Sequence, residues 1–479
     1  MQQLPQTRLY RPDYSQDFRC IGPACEDSCC EEWTVHVDQS TFEKYQNLPA
    51  GPLRTLLDEN VLRIPEPTQA NGNSAAEAFA QIRMDSNRKC PLLAADGLCR
   101  IQVEHGEGFL PHSCATYPRV SYSIDGVTEK ALSLSCPEAA RQVLLNPQLR
   151  TGAGPDGISR TNDGGPRAEC DRAAQSDPTR SHFWSIRNAA LALVENRVYP
   201  LWQRLYLLDL FSRQFDALAP QERPEKVPRL LEDFEASVVS GRLQAAMNTL
   251  PVDHARQLDL VLLLAGMMLH RSYVRPRFVE CIQAFTQGIG NGPGATLESL
   301  TAGYRTAHDR YYAPFFEKHP YILENYLANA IFRYRFPFGR DWAQTVAAPS
   351  APSKLSMTRE SILLTAQFAL VKGLLIGVAG FHRGQFSPSH VVHTVQAASK
   401  HFEHHTGFLT CVHDLLVEKS LDSQLGLAIL LRNETSRAPW PELPAPSPAL
   451  PAIDAPIHAP GPCNQTGIFP VRRPPQSVE

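Results

Sequence analysis

Apolar residues recur at helical spacing through residues 181–431, for example Trp184, Ile186, Ala189, Leu191, Leu193 and Val194, and again over 201–210. Two stretches, 258–269 and 362–381, are apolar nearly throughout. The first is too short for the ~20 residues a bilayer span takes. The second carries Gln367, Lys372, Gly373, Gly377 and Gly380, and an unpaired lysine at mid-membrane is costly. Both therefore read as buried helices. The first 148 residues show a different pattern. Trp33-Thr34-Val35-His36-Val37-Asp38 alternates like a strand, and 121–124 followed by Asp125-Gly126 reads as a strand entering a turn. Pro137-Glu138 suits a helix start, with 139–145 as its body.

The predicted fold class is mainly α: an irregular, mixed α/β cysteine-cluster metal domain at the N-terminus, followed by a helical domain. The boundaries fall at 1–150 for the cysteine unit and 181–435 for the helical, substrate-binding unit. Residues 151–180 are rich in Gly, Asp, Asn and Pro with little to bury, which predicts a flexible linker or insertion. Residues 436–479 predict a proline-rich, disordered tail. No repeat of 20–50 residues is present.

Composition narrows the function classes. With 46 Lys+Arg against 49 Asp+Glu the formal charge is −3, which argues against a generally basic nucleic-acid binder. The first twenty residues contain no apolar core of signal-peptide length, which points to the cytoplasm. In that reducing compartment clustered cysteines favour metal binding or redox chemistry over disulfides. Of twelve cysteines, eight lie within the first 136 residues: Cys20, Cys25, Cys29, Cys30, Cys90, Cys99, Cys114 and Cys136.

Closely spaced thiolates on irregular chain converge on soft metal centres, iron in a cluster or Zn²⁺, which take about four sulfurs each. Eight cysteines in two groups supply two such sites, or one site drawing on both groups. The spacing C-x3-C-C over Cys25, Cys29 and Cys30 departs from the C-x3-C-x2-C of radical enzymes, and ordinary ferredoxin spacings are absent. Cys170, Cys281, Cys411 and Cys463 stand alone and read as incidental.

These residues resemble the flagellin lysine N-methylase family. The likeness runs through Phe18-Arg19-Cys20-Ile21-Gly22, Cys25-Glu26-Asp27, Cys29-Cys30 and Trp33, then Cys90-Pro91-Leu92-Leu93 and Leu98-Cys99-Arg100-Ile101-Gln102. It continues in Ser113-Cys114, Tyr117-Pro118-Arg119 and Leu132-Ser133-Leu134-Ser135-Cys136-Pro137-Glu138-Ala139. In the helical part it includes Glu324-Asn325-Tyr326-Leu327, Asn329, Phe336-Pro337-Phe338-Gly339 and the glycines between 373 and 380. The resemblance implies methyl transfer from S-adenosylmethionine to lysine side chains of flagellin, in a cytoplasmic enzyme associated with a [4Fe–4S] cluster. Residues 151–180 and the tail depart from the family pattern.

The methyl donor needs a place to sit. Gly288-Ile289-Gly290-Asn291-Gly292-Pro293-Gly294 is the sole glycine-rich candidate, but it follows a helical stretch rather than a strand and reads as a loop, not a dinucleotide-type turn. Tyr117 and Arg119, beside Cys114, are the candidates for orienting the cofactor carboxylate, because an arginine fork matches that geometry. Methylation consumes the neutral amine, while free lysine has a pKa near ~10.4. Glu324 and Tyr326 are the candidates for orienting the amine and facing the sulfonium. Seven histidines fall in 382–413, with His401 and His405 one turn apart, and this pattern reads as a solvated helix face. Two further readings stay open: a non-catalytic, zinc-stapled protein that binds a partner, and an iron–sulfur electron carrier. Neither a nucleic acid nor a membrane is expected as a partner.

Overall fold

The computed structural model describes residues 13–31, 33–64, 79–124, 127–149, 182–269, 274–339, 356–403 and 408–433. The predicted linker and tail, with Cys170, Cys463 and His405, lie outside these residues. The fold is mainly helical, with a small mixed N-terminal part.

The apolar run at 362–381 forms the helix Met357–His382 at the centre of the molecule. Among the described residues it is the one helix long and apolar enough to cross a membrane, and its apolar window is wholly inside the protein. A helix apolar on every face must be surrounded on every face, and neighbouring helices cover this one. Its N-terminus is held by Asp216, which accepts from the Ser356 hydroxyl at 2.7 Å and the Thr358 amide at 2.9 Å.

The glycines explain the closest crossing. A Cβ on Gly288 would lie 1.8 Å from the Gly377 carbonyl oxygen, and one on Gly377 would meet Phe285 at 2.3 Å. The helices Pro276–Gly288 and Met357–His382 therefore touch backbone to backbone. Gly288→Ala should destabilise by about 3 kcal/mol, at the upper end for overpacking, read as a lowered urea midpoint. Gly292→Ala, with nothing within 4 Å, should change little.

Lys372 is the one charge on this helix's interior. Its ammonium donates to the Leu431 carbonyl and to Asn433 Oδ1, and burial lowers its pKa to about 7. The unfolded chain then holds one more proton than the folded chain between about pH 7 and ~10.4, so this group makes stability rise with pH across that window. Denaturation at pH 7 and pH 9.5 should show the rise in the native protein and its loss in Lys372→Met.

Among the described residues the N-terminal part carries five short strands. β1 (Val35–Val37), β2 (Val61–Arg63) and β3 (Ala80–Ile82) form an antiparallel sheet in the order β1-β3-β2, with Val35 and Val61 both opposite Ile82. β4 (Arg119–Ile124) pairs with β5 (Val127–Leu132), and the helix Pro137–Leu144 follows with proline in its first turn. The predicted strands at 33–38 and 121–124 and the helix at 137 are thus present.

Packing follows a different line from the sequence order. Val35, Val37, Tyr45, Leu57, Ile82 and Ile101 belong to a small core of their own. Tyr14, Phe18, Leu132, Leu134 and Val143, although N-terminal, pack into the large helical core. Polar side chains hold the same junction. Asn329 spans the Leu132 backbone, accepting from its amide at 3.3 Å and donating to its carbonyl at 2.9 Å, and also accepts from the Tyr14 hydroxyl at 2.8 Å. Asn325 donates to the carbonyls of Val143 and Asn146. Arg187 and Glu129, each about 1% exposed, pair at 2.7 Å. A polar group at such depth is tolerated because its partner satisfies it.

Candidate functional site: a cysteine-lined cavity

The first cysteine loop is fixed at both ends. Phe18 is buried in the large core, and at Gly22 (φ +57°) the chain turns tightly, with the Cys25 amide donating to the Gly22 carbonyl at 3.0 Å. A backbone hydrogen bond of 2.9 Å from the Cys90 amide to the Cys30 carbonyl then joins the two cysteine groups. Cys99 pairs with Leu93 across an isolated bridge and precedes the helix Arg100–His105. Cys114 lies in the short helix His112–Thr116, and Cys136 is the N-cap of Pro137–Leu144.

All eight cysteines line one cavity of about 580 Å³, and so do Tyr117, Arg119 and Lys400. The ten described cysteines of the chain are free thiols. Burial pushes the Cys90 thiol up to about 11 and those of Cys114 and Cys136 to about 12, with neighbouring thiols adding to each rise. Cys29 moves the other way, to about 7, because the Cys30 thiol donates to it and the Lys400 charge favours its thiolate. A soft cation entering here would displace the protons of the remaining thiols, since metal affinity and thiol ionisation are linked. Among the described residues, no three His, Cys, Asp or Glu side chains close around a single point. The eight thiols outnumber the carboxylates of Glu26, Asp27 and Glu107 in the lining, and so many sulfur donors around one cavity suit a soft, multi-atom centre.

The cofactor-orienting candidates stand at this wall. Arg119 donates to the Phe18 carbonyl at 2.9 Å and lies over the Phe18 ring, 5.1 Å from its centroid. The Tyr117 hydroxyl lies 3.0 Å from Ser135 Oγ, and its ring packs 5.9 Å from Trp33.

Glu324 and Tyr326 do not join this cavity. Glu324 is gripped by Arg204 at 2.7 Å and Arg197 at 2.7 Å, and Tyr326 is 2% exposed beside Phe368. The two candidates thus stand apart from Tyr117 and Arg119. The carboxylate is taken up by two guanidiniums, and the phenol sits in the core. Glu324→Gln should leave Arg204 underpaired and destabilise by about 3 kcal/mol, read as a lowered midpoint in denaturant titration. The histidine run is also not a uniformly solvated face. His401 is 3% exposed against the Phe278 ring at 4.2 Å, because its helix, Pro388–Glu403, packs on Pro276–Gly288.

Sequence reasoning missed the helical unit's contribution to the cavity. Lys400, about 5% exposed, donates to Asp27 Oδ2 at 2.5 Å and to the Ser28 carbonyl at 2.8 Å. Gln396, one turn earlier, donates to the same Asp27 oxygen at 2.6 Å and to the Ser135 carbonyl at 2.9 Å. Arg275 donates to the Glu31 carbonyl at 2.7 Å. The cysteine loop is thus clasped by a helix from the far end of the chain. Gln396 and Lys400 stand one turn apart on the side of their helix opposite the apolar face of Val391, Val395, Ala398 and Phe402, which is the ordinary pattern of an amphipathic helix and gives no local signal.

Fold and cavity together define a mainly helical protein in which a thiol-lined chamber is walled partly by its own helical unit. The profile of the FliB lysine N-methylase C-terminal domain matches residues 187–430, and the chain belongs to that family. A lysine-N-methylase from Salmonella choleraesuis (strain SC-B67) is 23% identical over 407 residues, covering 83% of this chain and 93% of its own. One from Salmonella typhimurium (strain LT2) shows the same identity and coverage. The flagellar biosynthetic protein FliU of Salmonella muenchen is 31% identical over 145 residues, 30% of this chain and 81% of its own. No solved structure matches the chain.

Proposed function

We propose that the protein is a cytoplasmic lysine N-methyltransferase that carries methyl from S-adenosylmethionine to the ε-amine of flagellin lysines, and that it depends on an iron–sulfur centre held by its cysteine cavity. The observation that carries this reading is the convergence of eight cysteines from two distant segments, with Tyr117 and Arg119, on one cavity. Relatives named lysine-N-methylase, over four fifths of this chain, support the reaction type. The FliU relative supports the flagellar setting.

The centre, once bound, would supply an iron site able to take the amino-acid end of the methyl donor. The remaining work falls to the chain. Arg119 presents a guanidinium at the wall, suited to a carboxylate. Tyr117 and Trp33 offer aromatic surface to a sulfonium or an ammonium. The buried wall desolvates the incoming lysine, which lowers its pKa toward the neutral, nucleophilic amine.

The test is iron, sulfide and zinc content with a visible spectrum on protein purified without oxygen, followed by incubation with S-adenosylmethionine and flagellin. About four iron and four sulfide per chain, with methyl transfer, is the expected result. Zinc without sulfide would overturn the iron–sulfur dependence. A loaded centre with no methyl transfer would overturn the enzymatic reading in favour of electron transfer.

A further inference from the structure

The helix that clasps the cysteine loop, Pro388–Glu403, follows the central helix after a short turn. Its start is capped by a titratable ring. Ser387 stands at the N-cap position, and its amide donates to His390 Nδ1 at 3.1 Å, with Ser387 Oγ 3.0 Å from the same nitrogen. His390 thus takes the place that Glu or Gln holds in a capping box, three residues into the helix. A neutral imidazole accepts there through the lone pair on Nδ1, whereas an imidazolium donates from both nitrogens. Protonation would also put charge at the positive end of the helix dipole.

The surroundings add to that cost. The His390 ring stacks on His382, the last residue of the central helix, with centroids 3.6 Å apart and planes 13° apart. The buried Phe386 ring lies 6.1 Å away and nearly parallel. His393 lies one turn on, Arg383 in the turn, and Arg277 and Glu280 on the helix Pro276–Gly288. Phe315, 4.7 Å from Phe386, brings up a segment carrying Arg310, Glu317, Lys318 and His319, and His308 beside it is paired with Asp309 at 2.6 Å. Burial and the charge on His393 hold His390 below the ordinary ~6.5, and burial with both ring neighbours lowers His382 to about 4. The folded chain takes up these protons at lower pH than the unfolded chain, so the stability they govern falls as pH drops below ~6.5.

From His390 the polar face of the helix continues through His393, Gln396 and Lys400. His393 Nε2 lies 3.1 Å from the Arg277 carbonyl, and Arg277 donates to Gln396 Oε1 at 3.0 Å and to the Glu26 carbonyl at 3.3 Å. Consecutive contacts therefore join the cap to the cysteine loop.

We propose that His390 is a proton-sensitive cap on the clasp helix: when its ring is protonated, the first turns of that helix open and the hold of Arg277 on the cysteine loop at Glu26 loosens. The device is independent of the reaction proposed above, and it governs how firmly one wall of the cysteine cavity is held.

Amide hydrogen exchange on the full chain, expressed as protection factors at pH 7.5 and pH 5, tests this. Protection of 389–394 and of 26–31 should fall about tenfold at pH 5, while 229–237, in the helix Arg223–Val239, should hold steady. His390→Gln supplies a neutral acceptor at the same place and should cut both falls to about twofold or less. His382→Phe keeps a stacked ring and the His390 cap, so both falls should persist. A fall that survives in His390→Gln, or is lost in His382→Phe, would overturn the assignment of the sensor. An equal fall in 229–237 would make the effect a general acid loosening and overturn the cap. Opening of 389–394 with 26–31 unchanged would overturn the link to the cysteine loop.

Discussion

Replacing Lys400 by methionine is expected to lower stability by about 3 kcal/mol, near the low end for a broken buried pair, and, if the cavity holds the proposed iron–sulfur centre, to reduce the metal content of the purified protein. Lys400 and Asp27 are both largely buried, at 4% and 11% side-chain exposure, so removing the ammonium strands a carboxylate in a poorly hydrated place. The loss stays at the low end because Gln396 still donates to Asp27 and Arg275 lies 3.9 Å away. The second consequence follows from position. Asp27 sits between Cys25 and Cys29, so a displaced Asp27 carries the loop with it. A double-mutant cycle with Asp27→Asn isolates the pair. The double variant should recover about 2 kcal/mol relative to the sum of the two single losses. Strict additivity in urea denaturation would sink the pairing argument.

The second large effect lies in the thiols themselves. Cys29, Cys30, Cys90, Cys99 and Cys114 are mutually coupled: the Cys30 thiol donates to Cys29, the Cys90 amide bonds the Cys30 carbonyl, and the charges of Cys29, Cys90 and Cys99 raise the pKa values of both Cys30 and Cys114. If the cavity holds the iron–sulfur centre proposed above, serine at any one of these five is expected to lower bound metal at least tenfold. Cys20 is exposed, and its sulfur accepts only a long contact from the Gly22 amide at 3.4 Å among its recorded bonds. Cys20→Ser should therefore retain most of the metal. Elemental analysis on anaerobically purified variants measures both, and full loss at Cys20 with retention at Cys114 would reverse the assignment.

Much of this architecture was readable from local pattern. An apolar run broken by Gln367 and Lys372, with glycines at 373, 377 and 380, reads as a buried helix, and it is one. The eight cysteines were visible because their residue type is rare and their spacing short. The remainder depended on pairs far apart in sequence. Lys400 and Asp27 are 373 residues apart, and Glu324 meets its arginines 120 and 127 residues away. Nothing local distinguishes a carboxylate that will be gripped by two guanidiniums from one that will face a substrate. The motif around Glu324 was recognisable, but not the contacts it makes: Asn325 and Asn329 tie the helical unit to the backbone of the cysteine unit.

Those ties have a consequence for how the chain can be divided. The Arg187–Glu129 pair, the Asn329 bridge to Leu132 and the shared core around Phe18 and Leu134 all join residues before 150 to residues after 181. Each half presents to the other a surface of the kind that permanent subunits share. A gene cut within 150–181 and expressed as two polypeptides would therefore yield a reassembling heterodimer rather than two independent proteins, and the cysteine chamber would close only when both pieces are made together.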